Sequence, residues 1–114
     1  DGNPATVGDP NWKPLLATPA HPEYPSSHGC LTSAVEEVLK VFLGTERINI
    51  DVTSTVPNLL HPTRHYARTD DLVQEIINAR VWGGIHYRQS AETGVDLGRT
   101  VARWALKRFF RPER

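Results

Sequence analysis

The stretch PSSHGCLTSAVEEVLKVFLG, residues 25–44, decides how this chain folds. From Ser27 to Leu43 the apolar residues fall at Leu31, Ala34, Val35, Val38, Leu39, Phe42 and Leu43, the three-and-four spacing of an amphipathic helix. Pro25 keeps Tyr24 out of the helical region, Ser26 or Ser27 stands where an N-cap belongs, and Gly44 supplies the stop. The start of such a helix leaves backbone N–H groups without partners and carries the positive end of the helix dipole, so it attracts oxyanions. Two hydroxyls and the His28 imidazole at that spot predict an anion site, provided other segments bring matching groups to it.

Outward from this helix the signals are mixed. Residues 1–25 are proline-rich and aperiodic, hence loop, but Trp12, Leu15, Leu16 and Tyr24 give the loop apolar anchors, so it is expected to lie across a core. Residues 47–57 alternate at Ile48, Ile50 and Val52 as a short strand would; with no partner strand in view, they are expected to pack as an irregular connection. Thr69 can cap a second helix, with Asp70 and Asp71 in its first turn and an apolar stripe at Leu72, Val73, Ile76 and Ile77. A third is expected from about Glu92 to Phe110, where Gly94, Gly98, Ala102 and Ala105 form a ridge for close helix approach and Leu97, Val101, Trp104 and Phe109 add bulk. The expected architecture is all-α: three main helices of a larger bundle, with residues 1–25 as loop and 26–114 helical, in a single domain or a fragment of one.

Bulk properties narrow the function. At 114 residues the chain is one domain or a piece of one. Thirteen Lys and Arg balance thirteen Asp and Glu, so no global field favours nucleic acid or an anionic membrane surface, and no apolar run approaches the ~20 residues of a membrane span. A single cysteine, Cys30, excludes an internal disulfide and is expected to be packed and inert. His61 and His65 have the spacing of a helical zinc pair, but Pro62 lies between them and no third ligand is evident; both read as loop residues. The basic run of Arg99, Arg103, Lys107, Arg108, Arg111 and Arg114 suits a helix C-terminus. A chain that opens on Asp1 and a proline-rich stretch reads as part of something longer.

The second informative stretch is NARVWGGIHYRQSAETG, residues 78–94. Arg80 and His86 would lie ~240° apart on an unbroken helix and could not converge. A break at Gly83-Gly84 re-aims His86 toward Arg80 and the start of the first helix. Ser26, the N–H groups near Ser27, His28, Arg80 and His86 would then surround one oxyanion. Taken singly, Arg80 reads as a surface residue paired with Glu75 or Asp71, and His86 as a core histidine. The place of His86 after two glycines favours the site reading.

Pro25-Ser26-Ser27-His28 resembles the PSGH motif, and Ala79-Arg80 through His86 to Ser90 resembles the SRxxxxxHxxxD motif, of the superfamily of vanadium-dependent haloperoxidases and type 2 phosphatidic acid phosphatases. The resemblance implies that His86 binds vanadate, or attacks phosphorus in a phosphatase. It implies that His28 is the acid–base group, that Arg80, Ser26 and the Ser27 N–H hold oxyanion oxygens, and that vanadate, or phosphate in its place, is the cofactor. The chain departs from the motifs at Ser27 for glycine, Ala79 for serine and Ser90 for the aspartate that usually orients the second histidine, which implies a weaker and less firmly held His86. The family's lysine followed after six residues by Arg-Pro is missing: the one Arg-Pro is Arg111-Pro112, with Trp104 where the lysine should be. That motif is expected upstream of Asp1, in a part of the same protein that completes the site. The implied function is a haloperoxidase-like enzyme acting on hydrogen peroxide and a halide. The alternatives are an acid phosphatase that hydrolyses phosphate esters through a phosphohistidine, and a non-catalytic helical module that binds phosphate or a partner chain. A secreted or periplasmic compartment follows by analogy alone.

Overall fold

Ser26 begins the first helix in extended geometry (φ −63°, ψ 119°), its Oγ accepting the Gly29 N–H at 3.3 Å, and Gly44 at φ 65° ends it. In the computed structural model, which describes residues 3–109, this helix α1 (Ser27–Leu43) is followed by strands β1 (Arg47–Thr53) and β2 (Thr63–Arg68), then α2 (Thr69–Trp82) and α3 (Arg88–Arg108).

The face that α1 buries is not its apolar one. Gly29, Ser33, Glu36 and Glu37 point inward, while Leu31, Val35 and Phe42 stay 68, 58 and 83 % exposed. The cause lies in the glycine ridge of α3. A Cβ at Gly98 would sit 2.0 Å from the Cys30 carbonyl oxygen, one at Gly94 2.3 Å from that of Ser26, and one at Gly29 2.6 Å from that of Ala91. Backbones this close admit only small side chains between them. Ser33 Oγ accordingly donates to the Val95 carbonyl at 2.9 Å. The ridge read from the sequence therefore works as expected, but Leu97, Val101, Trp104 and Phe109 are about half exposed and do not fill that interface. The buried apolar cluster is small: Val73, Ile77, Ala91 and Val95.

Charge does the rest. The wholly buried Glu36 receives Arg99 Nε at 3.0 Å, Thr69 Oγ1 at 3.1 Å and Lys40 Nζ at 3.2 Å. Arg99 Nη2 also reaches Asp70 at 2.8 Å, tying three helices through one guanidinium. Arg103 grips Glu37 with two nitrogens at 2.7 and 3.1 Å, and Arg108 lies over the Trp104 ring. Much of the basic run of α3 is thus spent on specific partners as well as on its dipole; Arg111, Pro112 and Arg114 lie outside the described residues.

The fold is not purely helical. β1 has a partner in β2, with antiparallel register Ile50–Tyr66, Asp51–His65, Val52–Arg64 and Thr53–Thr63, and an irregularity at Asn49, whose φ is 45°. Thr63–Arg68 hides its strand character because its sequence, TRHYAR, buries only Tyr66. His65 is therefore a strand residue, bonded to Asp51 at 2.7 Å, and not a loop residue. Thr69 is the first residue of α2 rather than its cap, since its hydroxyl is committed to Glu36; the cap position falls to Arg68, whose N–H donates to Asp71. α3 begins four residues before the expected Glu92. The proline-rich loop does run along the end of α2, Leu16 N–H donating to the Gly83 carbonyl at 3.2 Å, yet Trp12, Leu15 and Tyr24 remain mostly exposed.

Candidate active site

α2 ends in a motif that turns the chain back on itself. Gly84, in left-handed conformation at φ 71°, lets its N–H reach the Val81 carbonyl at 3.0 Å and the Ile85 N–H reach that of Arg80 at 3.2 Å. The His86 N–H donates to the same Arg80 carbonyl at 3.3 Å, so the two residues are coupled through backbone as well as through sequence spacing. This is the bend expected at the glycine pair.

His86 is buried, its side chain wholly so. Arg80 is half-buried and pairs with neither Glu75, which meets Arg64, nor Asp71, which caps α2. Its Nε and Nη2, together with His86 Nε2, are buried atoms with no hydrogen-bond partner among the described residues. His28, on the exposed first turn of α1, and His86 both face a third imidazole: the His21 ring centroid lies 5.8 Å from that of His86, nearly parallel at 17°, and 6.4 Å from that of His28. Partial desolvation of the ring, then the charges of Arg80, His21 and His86, hold the His28 pKa below its ordinary value, which favours a neutral ring. Burial alone lowers that of Arg80.

Ser26 is wholly buried; its hydroxyl accepts from Gly29, which leaves its own hydrogen to donate. Ser27 lies exposed at the helix start, where its N–H has no intrahelical acceptor. Ser90 is buried and does not reach His86: its Oγ donates to the Glu23 carbonyl at 2.6 Å, and its own carbonyl accepts from the Ser26 N–H at 3.1 Å.

Two residues at this site carry no signal in the sequence reading. His21 is one. The other is Glu23, whose Oε1 lies 3.2 Å from His86 Nδ1 and accepts the Tyr87 N–H at 2.9 Å. Burial opposes its ionisation, but hydrogen bonds from Tyr87 and His86 outweigh it and hold the carboxyl below the usual range. Both residues precede Pro-Ser-Ser-His within a few positions, and that proximity is the only clue the sequence offers. A cleft of about 530 Å³ opens beside Glu23 and His86, walled by Trp12, Val81, Ile85 and Tyr87. Among the described residues no cluster of three or more His, Cys, Asp or Glu could hold a metal ion, and no helix is long and apolar enough to cross a membrane.

The fold has relatives. No curated protein matches the chain significantly. A solved structure described as the first bacterial vanadium-dependent iodoperoxidase is similar over 87 % of this chain, at 34 % identity and a TM-score of 0.77, and the match covers 24 % of that protein. Holo and apo structures of a bacterial vanadium-dependent chloroperoxidase share the fold at 22 % identity, with TM-scores of 0.72 and 0.71 over 85 and 84 % of this chain and 23 % of theirs. The chain thus spans about a quarter of the length of the solved structures it matches. A family model described as the VCPO second helical-bundle domain matches residues 1–112. With nearly the whole sequence inside that match, the chain belongs to the VCPO second helical-bundle domain family and so to the vanadium haloperoxidase and type 2 phosphatidic acid phosphatase-like lineage.

Proposed function

We propose that this chain supplies the imidazole and guanidinium side of an oxyanion site in a vanadium-dependent haloperoxidase-like enzyme. The observation that carries the proposal is the set of buried, unpartnered atoms Arg80 Nε, Arg80 Nη2 and His86 Nε2. Leaving a buried polar atom unsatisfied costs about 1–3 kcal/mol, so two residues that do so at one place call for a ligand. Their chemistry fits vanadate: a guanidinium fork matches paired anionic oxygens, and an imidazole lone pair can bind the metal.

On this reading His86 holds the group through Nε2 and Arg80 holds its oxygens through Nε and Nη2. The Ser26 hydroxyl and the Ser27 N–H add donors at the positive end of α1. Bound vanadate would supply the Lewis-acid centre that activates hydrogen peroxide to oxidise a halide without a change in its own oxidation state. His28, held neutral by its surroundings, has a free ring nitrogen to take a proton from peroxide and return it later. The two further cations of the family's lysine and Arg-Pro motif would come from another segment of the protein, so the activity is assigned to the full protein. The relatives' names support a peroxidase; phosphate-ester hydrolysis at the same pocket is the competing outcome.

Two measurements on the full protein test this. Equilibrium dialysis with orthovanadate should give saturable binding that His86→Ala removes. Bromide oxidation with peroxide and vanadate should proceed while p-nitrophenyl phosphate is hydrolysed slowly or not at all; activity toward the ester alone would overturn the peroxidase reading.

A further inference from the structure

We infer that Glu23 is the positioning residue of His86, filling the role that Ser90 leaves open. The inference rests on the proposed oxyanion role of His86 for its consequence, but its geometry stands independently.

The His86 ring is wholly buried, and its Nδ1 faces Glu23 Oε1 at 3.2 Å. A carboxylate oxygen only accepts, so the ring proton belongs on Nδ1 and the lone pair on Nε2. Nε2 is the buried atom left without a partner. The opposite tautomer would bury an N–H with no acceptor and turn a lone pair toward a carboxylate, two penalties at once. The same Oε1 also accepts the Tyr87 N–H, so one oxygen fixes both the ring edge and the backbone that follows it. His21, two residues before Glu23, braces the flat face of the ring.

Ser90 acts one step back. Its hydroxyl is taken by the Glu23 carbonyl at 2.6 Å and its carbonyl by the Ser26 N–H at 3.1 Å, which clamps the loop that carries Glu23 against the start of α1 and α3. A serine here therefore positions the residue that positions His86. In place of the loosely held His86 expected from the missing aspartate, a carboxylate from the loop before α1 holds the ring.

The test is imidazole ¹⁵N NMR on the full protein at about pH 8, where an ordinary imidazole is neutral. Wild-type His86 should show the Nδ1–H tautomer. Glu23→Gln, whose amide oxygen can accept both bonds, should keep it, and Glu23→Ala should shift the population toward Nε2–H. Orthovanadate affinity should fall about 10–100-fold in Glu23→Ala and less than about 5-fold in Glu23→Gln. An Nε2–H tautomer in the wild type overturns the inference without any variant, as does a tautomer unchanged in a folded Glu23→Ala protein. Should the wild type bind no vanadate while the tautomer responds as described, the haloperoxidase reading fails and the Glu23 assignment stands.

Discussion

His28 is exposed, yet partial desolvation, the Arg80 guanidinium and two neighbouring imidazoles all oppose a proton on its ring. Its folded pKa therefore lies below the ordinary 6.5. The sign follows directly: the stability tied to the neutral ring is present above pH 6.5 and is lost as pH falls through the folded midpoint. An NMR titration of the His28 ring in phosphate- and vanadate-free buffer should give a midpoint below 6.5 that rises in Arg80→Met; a midpoint at or above 6.5 in the wild type contradicts the electrostatic reading. At this scale the sequence was legible where local rules act. A proline–serine turn ahead of an amphipathic run placed His28, and a glycine pair between Arg80 and His86 foretold the bend that couples them. Glu23 and His21 were not legible, because the His86 they both meet lies more than sixty residues away and a loop carries no periodicity to reveal which side it turns inward.

Between elements, the contact of α1 with α3 is a backbone-to-backbone seam flanked by ion pairs rather than an apolar interlock. Gly98→Ala would drive a methyl against the Cys30 carbonyl and should destabilise the protein by about 2–3 kcal/mol. Gly8→Ala, with open space around it, should shift stability by under about 0.5 kcal/mol, both read by urea denaturation. Arg99→Ala strips the buried Glu36 of one of its two cations and should cost about 3 kcal/mol, seen as a lower denaturation midpoint with an unchanged slope. A loss below about 1 kcal/mol in either helix variant would mean the seam is looser than drawn. Periodicity found α1 and gave its ends, yet could not tell which face is buried, because the apolar stripe scores the same whether or not a glycine ridge excludes it. The β-hairpin escaped notice for a related reason: a strand that buries one residue, Tyr66, leaves no alternation to read.

Over the whole molecule, the radius of gyration is 16.9 Å, where a compact domain of this length would have about 13 Å. Four small or medium residues make the central apolar cluster, and large ones such as Leu31, Phe42 and Leu60 face outward. Stability consequently leans on the close helix seam and on the Glu36–Arg99–Asp70 network. What this frame positions is one locality, where the start of α1, the folded-back end of α2 and the loop before α1 bring His28, Arg80, His86, His21 and Glu23 together. The most direct test of that convergence is ⁵¹V NMR of orthovanadate with the full protein. Saturable binding should be abolished by His86→Ala, weakened about 10–100-fold by Arg80→Ala, and unaltered by Arg64→Ala on the hairpin. Binding that survives both His86→Ala and Arg80→Ala unchanged would contradict the account.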